Sequence, residues 1–126
     1  MSTEEETAEV LRRFNQAFAD NDPSALEDLV APDCVMESIQ PAPNGTRYEG
    51  YEANLRFWQA MMADRVNYFE PEDSVVMGDR AIARWRYHFG DGQSLRGVSL
   101  VRVENGRIAE ALAYAKVPGQ LAPLPD

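Results

Sequence analysis

The 126-residue sequence predicts a single α+β domain, with three helices of its N-terminal half lying across the concave face of a curved antiparallel sheet. Three observations carry this. The first half holds three amphipathic helical stripes. The second half holds four strand-like segments, at 66–77, 80–89, 93–104 and 107–116. Those segments are joined by Gly78-Asp79, Gly90-Asp91-Gly92 and Asn105-Gly106, the last being the strongest two-residue hairpin signal. A curved sheet under helices leaves a pocket between the layers, and that pocket is the expected binding site.

The first helix is expected to start at Ser2 or Thr3, where Ser2 with Glu5 and Thr3 with Glu6 have capping-box spacing, and its apolar stripe is Val10, Leu11, Phe14, Ala17 and Phe18. Asp22 caps a short second helix that has Pro23 at its first position and stops at Pro32. Residues 33–40 read as a strand and PAPNGTRYEG as a loop. Tyr51 to about Ala63 forms a third helix, with Tyr51, Leu55, Trp58 and Met62 on one face and Phe57 and Met61 widening it. An aromatic and methionine stripe of this kind fits plain core, or the lining of a ligand cavity. Residues 1–117 form the domain, and the proline-rich 118–126 form a loose tail.

The segment RAIARWRYHF alternates Ala81, Ala83, Trp85, Tyr87 and Phe89 with Ile82, Arg84, Arg86 and His88, so one sheet face is aromatic and the other cationic. Alternation alone leaves open which face is inside.

Composition limits the chemistry. A net charge of −9 argues against nucleic acid or anionic membrane as partner. The charge is uneven: residues 1–73 hold 16 acids and 5 bases, residues 74–126 hold 5 acids and 7 bases. No apolar run reaches membrane-spanning length and no signal-peptide pattern opens the chain, so a cytoplasmic location is expected. Cys34 is the sole cysteine and reads as a buried strand residue. With one histidine and no phosphate-binding glycine loop, no metal or other cofactor is expected. Glu37 reads as an edge-strand acid facing water and Lys116 as a rim charge.

The order of elements, together with AFADNDPSALEDLVAPDCVME, FGDGQSLRGVSLVRVENGRIAEALAYAK and the helix led by Gly50, resembles the SnoaL-like branch of the nuclear transport factor 2-like superfamily over nearly the whole chain. The resemblance implies a cone-shaped scaffold used by isomerases, cyclases, dehydratases, epoxide hydrolases and binders without catalysis. Ketosteroid isomerases of this kind place a tyrosine, an aspartate base and an aspartic acid where this chain has Phe14, Ser38 and Ser99. Epoxide hydrolases of the limonene type use an Arg-x-Asp pair and a second aspartate, where this chain has Arg84, Arg86 and Ala113. SnoaL-type cyclases tend to present a histidine or aspartate from the last strand, where Ala111 and Ala113 stand here. All three chemistries therefore lack their acids.

The same resemblance turns Arg84, Arg86 and His88 into the cone, together with Ile82, Ser99, Val101, Ala111 and Ala113. It puts Trp85, Tyr87, Phe89, Val98, Leu100, Leu112 and Tyr114 on an outer face that would pair with a second copy. The expected function is thus a cofactor-free enzyme acting on a small organic molecule, anions included, of the isomerase, cyclase, dehydratase or hydrolase class. Arg84 and Arg86 would stabilise negative charge and His88 would be the acid/base. Ser38 and Ser99 would orient the ligand, and Phe14, Trp58 and Met62 would form apolar walls. The alternative is an anion-binding or dimeric interaction domain without catalysis.

Overall fold

The structure, a computed structural model, describes residues 3–41 and 44–116. The expected Ser2 cap and the tail at 118–126 lie outside the described residues. Helix α1 (Glu4–Ala19) is capped by the Thr3 hydroxyl, which accepts the Glu6 N–H at 3.1 Å, and three glutamates in its first turn face the helix dipole favourably. Its buried side sets Val10, Leu11 and Ala17 on the core, and Thr7 ties it to the sheet by donating to the Gly78 carbonyl.

The second helix is reduced to one 3-10 turn, Pro23–Leu26, so the described residues form two helices and a turn where three helices were expected. The reason lies in competing partners. The Leu29 carbonyl accepts from Ile108 N, while the carbonyls of Glu27 and Val30 accept from the Arg107 guanidinium. The Glu27 carbonyl would have closed a further helical turn onto the Ala31 N–H, and instead all three groups join the chain to the last strand. Leu26 and Leu29 are fully buried there.

Strand β1 (Val30–Glu37) therefore starts three residues earlier than expected. It runs antiparallel to a short β2 (Arg47–Glu49), which lies inside the segment expected to be only a loop. Helix α2 (Tyr51–Ala63) follows. Its fully buried Asn54 donates through Nδ2 to the carbonyls of Cys34, Tyr48 and Gly50, fastening the helix to the β1–β2 hairpin.

The remaining strands are β3 (Tyr68–Met77), β4 (Arg80–His88), β5 (Ser94–Glu104) and β6 (Arg107–Ala115), close to the four expected segments. They form an antiparallel meander, and β1 joins β6 in parallel, giving one six-stranded sheet in the order β2-β1-β6-β5-β4-β3. Between β5 and β6, Asn105 and Gly106 both adopt positive φ (54° and 74°), as a two-residue hairpin of the twisted kind requires. Edge strand β3 carries Glu70, Pro71, Glu72 and Asp73, which discourage pairing with another chain. The core lies between the helices and one sheet face, around Val10, Leu26, Leu29, Val30, Met36, Trp58, Val101, Val103 and Ile108.

Candidate functional site

Between α1, α2 and the inner sheet face lies a cavity of about 490 Å³. Its floor is set by register. Ala83 of β4 pairs with Ser99 of β5, and Ser99 pairs with Ala113 of β6, so three short side chains stand in one row; Ala81, Val101 and Ala111 form the next row. Short side chains beneath two helices leave room that larger ones would fill. The walls are aromatic. Phe14 and Phe18 lie four residues apart on one face of α1, and α2 contributes Phe57 and Trp58. Phe69, Trp85, Tyr87 and Phe89 come from β3, β4 and the turn after it, and Tyr48 from β2. Trp58, Phe14, Phe18, Phe69 and Trp85 form a continuous chain of neighbouring rings, with centroids 5.0–6.1 Å apart.

The electrostatics follow from this lining. Among the described residues, the cavity wall has no Asp, Glu, Lys, Arg or His. Its polar groups are neutral: Asn15, Ser38, Gln40, Tyr48, Asn67, Tyr87, Ser99 and the Trp85 indole N–H, which donates to Ser99 Oγ at 3.0 Å. Burial, and then the nearby Asp64 charge, raise the Tyr87 phenol above its ordinary value, so it remains a protonated donor. Asp64 accepts from the N–H groups of Asn67 and Val66 and from the Asn67 amide, which lowers its carboxyl. Asn67 in turn accepts the Gly90 N–H, linking the α2–β3 connection to the β4–β5 hairpin.

The structure brings Phe14, Ser38, Trp58, Ser99, Ala111 and Ala113 together on the wall. Met62 is buried in the core and does not line the cavity. The Ser38 hydroxyl is engaged with the backbone: it donates to the Gln40 carbonyl at 2.9 Å and accepts the Thr46 N–H at 3.2 Å. It clasps the β1–β2 loop rather than facing the cavity with a free donor.

Arg84, Arg86 and His88 are on the opposite face, which corrects the inward orientation expected of them. Arg84 pairs with Asp73 at 2.8 Å, and His88 Nε2 lies 2.7 Å from Glu70 and stacks on Tyr68. Arg86 sits across from Glu70 on β3 and Arg96 on β5. Ile82 goes outward with them, and Trp85, Tyr87 and Phe89 take the inside.

The physical reason is parity. The three-residue turn Gly90-Asp91-Gly92 makes Phe89 bond to Gln93 and pairs His88 with Ser94, so odd-numbered β4 residues share a face with odd-numbered β5 residues. Ser99 and Arg84 therefore cannot both face the cavity. That turn was visible in the sequence, and counting across it would have put Trp85, Tyr87 and Phe89 on one face with Ser99 and Arg84, Arg86 and His88 on the other, leaving the enclosed face to the packing of the helices. Asn15, Gln40 and Asn67 carried no comparable signal, because each is placed by how a helix or loop docks.

The clearest positioning device is glycine 97, directly across from Trp85. A Cβ at Gly97 would clash with Cη2 of the indole and lie 2.5 Å from Cζ2 and 2.6 Å from the Tyr114 carbonyl oxygen. Only glycine lets the indole lie flat on β5, and from there its N–H reaches Ser99.

No helix among the described residues is long and apolar enough to cross a membrane, and none of their His, Cys, Asp or Glu side chains group into a metal site. The Cys34 thiol is fully buried and pushed up to about 12, chiefly by burial, which leaves it inert.

Comparison with known proteins places this geometry. Residues 11–111 match the SnoaL-like domain family. No curated protein matches the chain. Among solved structures, an NTF2-like protein of unknown function from Mesorhizobium loti is 48% identical, with 90% of this chain and 93% of that one covered and a TM-score of 0.85. A candidate polyketide cyclase from Sinorhizobium meliloti is 29% identical over 84% of this chain and 94% of its own, with a TM-score of 0.67. A steroid delta-isomerase from Pseudomonas aeruginosa shares the fold at 21% identity, covering 89% and 80% of the two chains with a TM-score of 0.73. With four-fifths of its length matched and a close structural relative of the same kind, the chain belongs to the SnoaL-like family of the NTF2-like superfamily.

Proposed function

We propose that the protein binds a neutral, largely apolar small molecule in the chamber between its helices and sheet. The carrying observation is the wall, where nine aromatic side chains meet and, among the described residues, no ionised group is present. An ionised ligand entering it would lose several kcal/mol of hydration without gaining a counter-charge, whereas an apolar one gains about 25 cal/mol for each Å² removed from water. Steroid and polyketide stand in the names of two structural neighbours, and molecules of that class fit the reading. Any chemistry in the chamber would have to use neutral donors such as Ser99 and Tyr87; Arg84, Arg86 and His88 lie outside it.

Both tryptophans of the chain, Trp58 and Trp85, are on the wall, so their fluorescence reports occupancy directly. N-phenylnaphthylamine, which is neutral, should quench them and gain emission by energy transfer. Its sulfonated counterpart, anilinonaphthalene sulfonate, should bind at least about tenfold more weakly. Equal binding of the two probes would refute the neutral-chamber reading.

The partner we propose is a second copy of this chain, docked on the outer sheet face. There Val75, Ile82, Leu100 and Tyr114 are between 36% and 55% exposed, and the pairs Arg84–Asp73, Arg96–Glu72 and Arg80–Glu110 flank them. A face carrying both signs around an apolar centre can meet itself about a two-fold axis. Light scattering should report a dimer that Leu100→Arg converts to monomer; a monomeric wild-type protein would refute the docking.

A further inference from the structure

Strand ladders close the chamber below, and the Phe14–Trp58 ring contact joins the two helices above it. One seam is held differently. Residues 64–67 connect α2 to β3, crossing from the helix layer to the sheet, and they meet the β4–β5 turn at Gly90. The β3–β4 ladder ends at Tyr68 and His88, one step short of this seam. Asn67 on one side and Phe89 on the other are half-buried wall residues, so the seam stands between chamber and solvent. Asn67 Oδ1 accepts the Gly90 N–H at 3.1 Å, and the Val66 side chain lies against Gly90, where a Cβ would collide with it. Val66 is 64% exposed and Gly90 is exposed too, so the core backs neither contact. The helix side is held more firmly. The Asn21 amide oxygen accepts from Arg65 Nη1 and Nη2 at 2.9 and 3.2 Å, and its nitrogen donates to the Met62 carbonyl at 3.1 Å. Asp64 braces the connection from within, accepting the N–H groups of Val66 and Asn67 and the Asn67 amide at 2.9–3.0 Å. The segment is thus braced internally, anchored to the helices, and joined to the turn by a single hydrogen bond. Local opening is cheapest at such a place.

We propose that residues 64–67 form a strap across the ligand's way in, that small molecules exchange with the chamber through the seam between Asn67 and the β4–β5 turn, and that the Asn67–Gly90 hydrogen bond is the latch that sets how often the seam parts. This inference rests on the neutral-chamber reading above. It adds the route into the chamber and the residue that governs the rate. The latch joins two segments of the protein whether the chamber is empty or filled, so weakening it favours parting equally in both states. Arrival and departure then quicken by the same factor, and the affinity stays where it was.

The test is stopped-flow mixing and displacement of N-phenylnaphthylamine, read by energy transfer from the tryptophans. Asn67→Ala should raise the association and dissociation rate constants together, about three- to tenfold, and leave Kd within about twofold of wild type. A covalent latch is the opposite perturbation. A Cβ at Gly90 would lie 3.7 Å from the Val66 Cβ, a span that a disulfide bridges. The double variant Val66→Cys/Gly90→Cys also removes the valine methyl that a side chain at position 90 would strike, and the fully buried Cys34 does not compete for the bond. When oxidised it should exchange the probe at least about tenfold more slowly than wild type in both directions, and reductant should restore the rate. An oxidised double variant that exchanges at the wild-type rate overturns the strap and leaves the chamber standing. Failure of the two cysteines to cross-link denies the contact across the seam and overturns it as well. An Asn67→Ala protein that differs only in dissociation makes Asn67 a ligand contact in place of a latch. Failure of the probe to bind the wild-type protein removes the chamber reading and the strap with it.

Discussion

Replacing Gly97 by alanine should be among the most damaging single-methyl additions in this protein. The new Cβ would overlap the outer edge of the Trp85 indole and lie 2.6 Å from the Tyr114 carbonyl oxygen, whereas carbon atoms rest at about 3.5 Å or more. The ring must retreat by roughly 1 Å, and a hydrogen bond of 3.0 Å to Ser99 does not survive such a shift. Overpacking of this kind costs about 1–3 kcal/mol and the hydrogen bond about 1 kcal/mol more, so the loss should total about 2–4 kcal/mol. At this chain length that lowers Tm by roughly 6–15 °C. Urea unfolding of Gly97→Ala, alone and in a Trp85→Phe background, measures it. The cost should fall by about 1 kcal/mol or more in the shorter-ringed background, since part of the clash is with the indole edge. A Gly97→Ala protein within about 0.5 kcal/mol of wild type and with unshifted tryptophan emission would refute the packing account.

Other outcomes follow from the same geometry. Arg84→Ala and His88→Ala should leave binding of N-phenylnaphthylamine within about twofold of wild type, because both side chains are on the far face of the sheet; a tenfold loss by titration would contradict that orientation. The buried Cys34 thiol, held up to about 12, keeps its proton where the unfolded chain, titrating near its ordinary value, releases it. Its contribution is therefore complete below about pH 8.5 and is lost as pH rises toward the folded value. The stability difference between wild type and Cys34→Ala should narrow steadily from about pH 9 to about pH 11, and a constant difference in chemical denaturation would rule out the linkage.

The strand segments, the Asn105-Gly106 hairpin, the Thr3 cap and the α2 stripe could be read in the sequence because each is a local pattern. Periodicity, capping chemistry and turn residues act over a few positions. The shortened second helix could not be read this way. Its helical signals are present, but the carbonyls of Glu27, Leu29 and Val30 are taken by residues some 80 positions later in the chain. Strand β2 was likewise hidden, since RYE becomes a strand only by pairing with β1.

For the site, the sequence by itself determined that β4 has one aromatic and one cationic face, that β6 has one face of alanines, and that few chemistries were open to the cavity. Tertiary structure decided which face of β4 is enclosed. A strand's pleat alternates its side chains without saying which set meets the core; that depends on register across the Gly90-Asp91-Gly92 turn and on what lies opposite each residue. Here Trp85 is opposite Gly97 and beneath the helices, where a large ring fits and an arginine would lack a counter-charge. The rings therefore line the chamber, and Arg84 meets Asp73 on the solvated face.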